Sequence, residues 1–274
     1  MPRTIPGRIA QENHGASIVL EHRFFGFSNP YPDLSEKSLA VHTLENAIDD
    51  LVYFANNVKL PFPDDLENGS QVGPDKSPWI LIGGSYSGAL TSWTMVARPG
   101  VFHAGWSSSG VVQAITYYWG YFEPIRQNMP ANCSADIQQV IGHIDSKGTY
   151  GTEYEKKLLK SKFGMPNVTH YDDFAGTLRN QLGVWQDITP VNGREGFNAF
   201  CDALEVKDGV AAGPSGWGLE HALDAWGAFQ SKWVATNCDA SASQDDCLGT
   251  YDPTLDYYHN TTVNQVWRSW YWLW

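Results

Sequence analysis

One serine in this sequence stands where a short apolar run ends and a helical pattern begins. The apolar run covers residues 79–82, two glycines follow it, and helical spacing starts directly behind Ser85. A sharp strand-to-helix turn of this kind lifts a serine hydroxyl above a sheet, and its neighbours must be small because strand and helix approach closely. We therefore predict that Ser85 is a nucleophile and that the backbone amide of Tyr86 is an oxyanion donor at the positive end of the helix.

The match to the usual Gly-x-Ser-x-Gly pattern is near but not complete. Gly83 supplies the first glycine, whereas Ser87 stands where the second one is usual. Serine is small but carries a Cβ atom, so the turn must leave room for that atom. The alternative is a glycine-rich turn that serves geometry alone, and the strand, turn and helix context favours the nucleophile.

A serine hydroxyl is a poor nucleophile unless a base takes its proton and an acid orients that base. In α/β-hydrolases the acid and then the base follow the serine along the chain. His103 is expected to be a core residue of the next strand, and the other later histidines fall in helical patterns or beside sequons: His143, His170, His221 and His259. No strand pattern follows the helical region, so we expect the acid and the base to be missing from this sequence.

Composition and charge exclude several classes of protein. The 274 residues include 18 basic and 30 acidic side chains, a net charge of −12, so we expect no nucleic-acid partner. A hydrophobic content of 42% supports a packed core and excludes general disorder. No stretch is long and apolar enough to span a membrane, and residues 1–10 do not form a signal peptide. No zinc-type spacing or phosphate-binding loop is present, so we expect no metal and no cofactor, and the oligomeric state stays open.

Cysteines and glycosylation sequons together indicate an oxidising, secretory route. The even set of cysteines allows three pairings, which spacing leaves open: Cys133, Cys201, Cys238 and Cys247. Four Asn-x-Ser/Thr sequons begin at Asn68, Asn132, Asn167 and Asn260. Single sequons arise by chance, but four of them beside paired cysteines favour a secreted, lysosomal or vacuolar protein over a cytosolic protein with free thiols.

The elements that must hold Ser85 alternate in the first part of the chain. We predict strands over residues 17–21, 79–83 and 102–106, with a helix over 39–55 that is capped by Ser35. Such alternation is typical of an α/β fold with a doubly wound parallel sheet. Helices then dominate: 135–146, 152–163, 171–182, 195–205 and 219–234. We predict a partial core over residues 1–112 and a helical cap over residues 113–263. Residues 264–274 are predicted to be the start of the chain's return to the core.

Two motifs together resemble a family of serine peptidases. Residues 21–26, Glu-His-Arg-Phe-Phe-Gly, look like its Glu-His-Arg-aromatic-aromatic-Gly signature, and residues 83–90 look like its elbow. Residues 106–110 are similar to the strand after that elbow, and residues 270–273 to a tryptophan-rich stretch. The family contains lysosomal Pro-Xaa carboxypeptidase, lysosomal dipeptidyl peptidase and fungal prolyl endopeptidases. Serine at 87 resembles the fungal branch.

The resemblance implies an α/β-hydrolase core with a helical cap, in a secreted or lysosomal glycoprotein. It also implies hydrolysis on the carboxyl side of proline, with proline-containing peptides or proteins as substrates and an acyl-enzyme on Ser85. The family's other strands and its triad aspartate and histidine lie outside the matching segment, so we expect an incomplete middle portion that is inactive and poorly soluble. Glu21 and Arg23 are candidates for binding substrate termini, with structural ion pairing as the alternative.

Two other functions stay open. A lipase or esterase could use the same fold, although the Glu-His-Arg signature argues against it. A non-catalytic secreted domain could retain the elbow as architecture, and the missing acid and base favour that reading. Endopeptidase, carboxypeptidase and dipeptidyl-peptidase action are not distinguished, because the geometry of the cap sets access to the cleft.

Overall fold

The structure, a computed structural model, describes residues 4–61, 72–189, 191 and 195–273. The α-helices in these residues are α1 (Ile5–Glu12), α2 (Glu36–Leu39), α3 (Leu44–Asn57), α4 (Tyr86–Ala97), α5 (Glu123–Asn128), α6 (Ala131–Tyr150), α7 (Glu153–Lys162), α8 (Tyr171–Gly183), α9 (Phe197–Glu205), α10 (Leu219–Asn237), α11 (Gln244–Leu248), α12 (Asp256–His259) and α13 (Val266–Leu273). The strands are β1 (Ile80–Gly84), β2 (Ala104–Ser108), β3 (Val206–Lys207) and β4 (Val210–Ala211). None of the helices in the described ranges has both the length and the apolar character of a membrane span.

The first of two compact units, Met1–Thr116 with Thr254–Trp274, contains the elbow. β1 and β2 pair in parallel, with Ile80 opposite Ala104 and Gly84 opposite Ser108. Parallel neighbours need a crossover connection, and α4 provides it. The parallel pairing predicted around the elbow is therefore confirmed. A larger doubly wound sheet is not established, because β1–β2 and the hairpin β3–β4 are the sheets of the described residues.

The strand predicted over residues 17–21 is wrong. This segment has no regular structure in the described chain and is mostly exposed, with Val19 76% accessible. Its apolar residues fit a buried strand, but a strand forms only where a neighbour satisfies its N–H and C=O groups. β2 also begins two residues later than predicted, so His103 precedes it and is exposed. The expectation that His103 is a core residue is therefore wrong.

The single helix predicted over residues 39–55 is divided into α2 and α3. Ser35 caps α2 as predicted, with its hydroxyl oxygen accepting from the Ser38 amide at 3.3 Å. Thr43 caps α3 in the same way, accepting from the Asn46 amide at 3.2 Å. A second capping side chain thus starts a new helix where the apolar spacing alone predicted continuity.

The second unit, Tyr117–Pro253, is almost entirely helical, and α6 to α10 agree with the helices predicted there. Its core is aromatic, with the following side chains almost inaccessible: Phe163, Phe174, Phe197, Phe200 and Trp226. Cys133 of α6 is bonded to Cys201 of α9, and Cys238 to Cys247. The first bridge spans 68 residues, a loop for which the chain-entropy model gives a stabilisation of about 4 kcal/mol. The domain boundaries predicted at residues 112 and 263 stay a prediction.

Candidate active site

Ser85 lies between the end of β1 and the start of α4 in a strained backbone conformation. Its φ is 56° and its ψ is −122°, which is uncommon for a residue other than glycine. The Ser85 amide donates to the Ser108 carbonyl oxygen at 2.9 Å, and the Ser85 carbonyl oxygen accepts from the Ala89 amide at 3.0 Å. Bonds to both β2 and α4 therefore hold the strained residue in place. Ser85 is also exposed, so this is the geometry of a nucleophile elbow.

Close packing at the elbow explains which small residues it needs. A Cβ atom on Gly83 would lie 2.0 Å from the Ser87 carbonyl oxygen, and one on Gly88 would lie 2.7 Å from the Ser108 carbonyl oxygen. Both distances are far below van der Waals contact. The close packing of α4 against the strands therefore depends on the absence of a side chain at these two glycines. The Ser87 residue is exposed. A serine is therefore tolerated where the usual motif has its second glycine.

Tyr86 begins α4, so its amide lies at the positive end of that helix. Its hydroxyl is 2.9 Å from His22 Nε2, while His22 Nδ1 is 2.8 Å from the Arg23 carbonyl oxygen. A carbonyl oxygen only accepts, so we assign the proton to Nδ1, and Nε2 then accepts from the tyrosine hydroxyl. Burial raises the pKa of Tyr86 to about 12 and lowers the pKa of His22. Both side chains are therefore held in their neutral forms.

Aromatic contacts complete this attachment of the Glu-His-Arg segment to α4. The Tyr86 ring meets His22 and Trp270 edge to face, at centroid distances of 5.5 Å and 5.8 Å. His42 lies 5.5 Å from His22 and is buried. Burial lowers the pKa of His42 to about 4, and its Nε2 bonds to the Ser269 carbonyl oxygen at 3.1 Å. The side chain next to the candidate nucleophile is thus fixed by a neutral aromatic cluster.

The charged residues of the signature make internal contacts. Arg23 bonds Asp50 of α3 through Nε and Nη2, each at 2.6 Å, and also donates to the Val41 carbonyl oxygen. This geometry favours structural pairing for Arg23. Binding of substrate termini by Glu21 and Arg23 stays a prediction.

Glu21 also explains the glycine of the signature. Its carboxylate accepts from the Phe27 amide at 3.0 Å and from the Ser28 hydroxyl at 2.7 Å. Gly26 has a φ of +56°, and a Cβ atom there would lie 1.9 Å from Glu21 Oε1. Glycine adopts this left-handed φ without steric cost, and the absence of a Cβ atom leaves room for the carboxylate.

Within the first unit, no described histidine bonds the Ser85 hydroxyl, since His22 bonds Tyr86 and His42 bonds the Ser269 carbonyl oxygen. His103 precedes β2, whereas Ser85 follows β1. Because these strands are parallel, His103 lies at the opposite end of the sheet. His259 is exposed in α12, and His143, His170 and His221 belong to the second unit.

Three of the four sequons fall within the described residues, and Asn68 lies outside them. Asn132 is partly buried, with its Nδ2 atom 3.4 Å from the Ala212 carbonyl oxygen, and the next residue is the disulfide-bonded Cys133. Asn167 is exposed. The Asn260 Oδ1 atom accepts from the Thr262 amide and hydroxyl. The three asparagines therefore differ in the exposure and the hydrogen bonding of their side chains.

We expect a glycan on Asn167 and none on Asn132, because transfer needs an accessible Nδ2 atom. Asn167 is exposed, whereas Asn132 is partly buried and its Nδ2 atom donates to the Ala212 carbonyl oxygen. Glycopeptide mass spectrometry of the chain secreted from a eukaryotic host measures the occupancy of each site. High occupancy of Asn132 beside an intact Cys133–Cys201 bridge would contradict this prediction.

Taken together, the parallel strands, the crossover helix and the strained serine define a serine-hydrolase type of nucleophile elbow. A comparison with family models matches residues 4–208 to the family described as serine carboxypeptidase S28. The chain belongs to this family. The resemblance seen in the two sequence motifs is thereby confirmed, including its fungal branch.

Several curated proteins are similar to this chain. Serine protease vicPa of Bipolaris victoriae is 33% identical over 98% of this chain and 52% of its own length. A probable extracellular serine carboxypeptidase of Arthroderma benhamiae is 30% identical over 99% of this chain and 40% of its own length. The human thymus-specific serine protease is 29% identical over 45% of this chain and 22% of its own length. The chain thus spans about half the length, or less, of these relatives.

Proposed function

We propose that this chain carries the nucleophile of a secreted serine peptidase that hydrolyses peptide bonds on the carboxyl side of proline. The observation that carries the proposal is Ser85, exposed and strained at the start of α4 in a chain of the serine carboxypeptidase S28 family. The proline preference rests on the resemblance of the two motifs to prolyl peptidases. The substrates would be proline-containing peptides or proteins.

In this mechanism the Ser85 hydroxyl gives its proton to a base while its Oγ atom attacks the carbonyl carbon of the proline residue. Negative charge develops on the carbonyl oxygen, and the Tyr86 amide at the positive end of α4 stabilises it. Collapse of the tetrahedral intermediate breaks the C–N bond, the protonated base returns its proton to the leaving amine, and an acyl-enzyme ester remains on Ser85. Water then hydrolyses that ester and regenerates the hydroxyl.

The secreted setting is supported by two features. The Cys133–Cys201 and Cys238–Cys247 bridges fit an oxidising compartment. One relative, from Arthroderma benhamiae, is described as extracellular. A lysosomal or vacuolar location is the alternative, and glycosylation at Asn167 would fit either route.

We also propose that the chain needs an acid and a base beyond the described residues before it can hydrolyse peptides. The support is that no described histidine of the first unit bonds the Ser85 hydroxyl. This observation also favours a second candidate function, a secreted domain that keeps the elbow without catalysis. The two readings differ in whether Ser85 reacts once a base is available.

A fluorophosphonate probe, with the adduct located by mass spectrometry, tests both proposals. We expect no labelling of the isolated chain, and labelling at Ser85 in the natural protein that carries this sequence. Labelling of the isolated chain that disappears on heat denaturation would refute the need for a further base. Absence of labelling in the natural protein would support the non-catalytic reading.

Matched chromogenic substrates test the specificity. In the natural protein, peptides with proline before the scissile bond should be hydrolysed faster than the same peptides with alanine. Faster hydrolysis of short-chain esters than of either peptide would instead favour a lipase or esterase.

A further inference from the structure

Glu205 is the last residue of α9, and its carboxyl group is buried with no hydrogen-bond partner among the described residues. The residue is 3% exposed, and neither Oε1 nor Oε2 has a partner in the part of the chain that the structure describes. A carboxylate placed there loses its hydration without compensation, so burial favours the protonated acid. The C-terminal end of α9 is also the negative end of the helix dipole, which disfavours a negative charge further.

A second buried carboxyl group lies nearby, on α6. Asp136 is inaccessible to solvent and accepts three hydrogen bonds, from the Trp217 amide at 2.8 Å, the Gly218 amide at 3.0 Å and the Gln139 side-chain amide at 3.0 Å. Burial, together with the charge of Asp136, raises the pKa of Glu205 to about 7.

None of the ion pairs among the described residues includes Glu205. On α10, the ring of His221 meets Trp217 edge to face. The Nε2 atom of His221 is buried and has no hydrogen-bond partner in the part of the chain that the structure describes. Asp173 of α8 bonds Thr250, and Asp187 lies in the turn after α8. On α9 itself, Asp202 is exposed.

The backbone around this pair holds one corner of the second unit together. The Glu205 carbonyl oxygen accepts from the Ala212 amide and from Trp217 Nε1, each at 2.9 Å. The first bond fixes the hairpin β3–β4 to the end of α9, and the second fixes the loop that Asp136 also binds. A Cβ atom on Gly216, where φ is +75°, would lie 2.2 Å from Asp136 Oδ1, so this loop is closed tightly over the carboxylate.

We propose that Glu205 is a pH-sensitive switch that keeps one corner of the second unit closed while its carboxyl group is protonated. With its carboxyl group protonated, Glu205 stays buried beside Asp136, and the end of α9, the hairpin β3–β4 and the Trp217 loop stay closed. When the proton passes to solvent, the carboxylate moves into water and this corner opens. The corner is therefore tightest in acidic surroundings and loosens near neutral pH.

The direction of the effect follows from linkage. The folded-state pKa of Glu205, about 7, lies above its ordinary value of 4.5, so the stabilisation is complete below the ordinary pKa and is lost as the pH rises through the folded one. His42, in the first unit, acts in the opposite sense because its pKa is lowered. Thermal unfolding of the whole chain would report the sum of the Glu205 and His42 contributions to stability. The effect of Glu205 therefore needs a measurement that is local to its surroundings.

Hydrogen exchange of residues 197–216, followed by mass spectrometry and corrected for the intrinsic rate, provides that measurement on the chain. Between about pH 5 and about pH 8 the opening equilibrium should rise roughly 70-fold in the unaltered chain. Glu205→Gln should remove this rise. Asp202→Asn, on the same helix but exposed, should keep it. An equal rise in the unaltered chain and in Glu205→Gln would overturn the proposal.

Infrared difference spectroscopy keeps the proposal testable if Glu205→Gln does not fold. The unaltered chain should show the carbonyl band of a buried carboxylic acid at about pH 5, and this band should disappear by about pH 8. A chain that shows no such band at the lower pH would also overturn the proposal, because Glu205 would then already be ionised.

Discussion

Replacing Gly83 with alanine is expected to destabilise the first unit by about 3 kcal/mol or more. The new Cβ atom would lie 2.0 Å from the carbonyl oxygen of Ser87, 2.3 Å from its carbonyl carbon and 2.8 Å from Thr91 Oγ1. The first two atoms are backbone of α4 and cannot rotate away, so α4 must separate from β1. Denaturant unfolding of the purified chain measures the loss directly.

Gly84→Ala is a matched control, because it adds the same methyl group to the same strand one residue later. A Cβ atom on Gly84 would have its nearest contact at 3.9 Å, to the Ser108 carbonyl oxygen. We expect a change of less than about 1 kcal/mol there. Equal destabilisation by the two substitutions would show that strand propensity, and not the approach of α4, governs this site.

The elbow was predictable because its signals are local. An apolar run, two glycines and a helical pattern specify the turn, and the strained φ of Ser85 agrees with that prediction. The tolerance for Ser87 was not predictable, because it depends on which glycines β1, α4 and β2 use for close contact. The structure assigns that role to Gly83 and Gly88.

Features that depend on distant partners were not predictable from the sequence. Residues 17–21 have the composition of a buried strand, yet composition cannot supply the neighbouring strand that would make them one. The bond between His22 and Tyr86 joins residues 64 apart in the chain. The two signatures flank this contact, but nothing in their spacing indicates that the histidine holds the residue beside the serine.

The disulfides show the same limit. Four cysteines allow three pairings, and the structure pairs Cys133 with Cys201 over 68 residues but Cys238 with Cys247 over only nine. The long bridge depends on the packing of α6 against α9. Helical periodicity predicts each of these helices separately, but it does not predict how they pack against each other. In the sequence, Glu205 is likewise an ordinary last residue of a helix. Its burial beside Asp136 becomes visible only when the packing of α6 is known.

Substitution of Ser85 is expected to separate catalysis from backbone strain. Ser85→Ala and Ser85→Gly both remove the hydroxyl group, so in the natural protein that carries this sequence either change should lower peptide hydrolysis by roughly 10⁴-fold or more. Only glycine adopts a φ of 56° without steric cost, so Ser85→Gly should be more stable than Ser85→Ala by about 1–2 kcal/mol.

Comparison of these two variants isolates the strain, since both lack the hydroxyl and its hydration. Thermal or denaturant unfolding of the two variants gives the stability difference, and fluorophosphonate labelling gives the loss of the nucleophile. Equal stability would contradict the strained geometry, whereas retained labelling would contradict the assignment of Ser85. A Ser85→Gly variant that is more stable but unreactive would show that the fold holds Ser85 in an unfavourable backbone conformation. In a nucleophile elbow, this conformation is what exposes the serine hydroxyl.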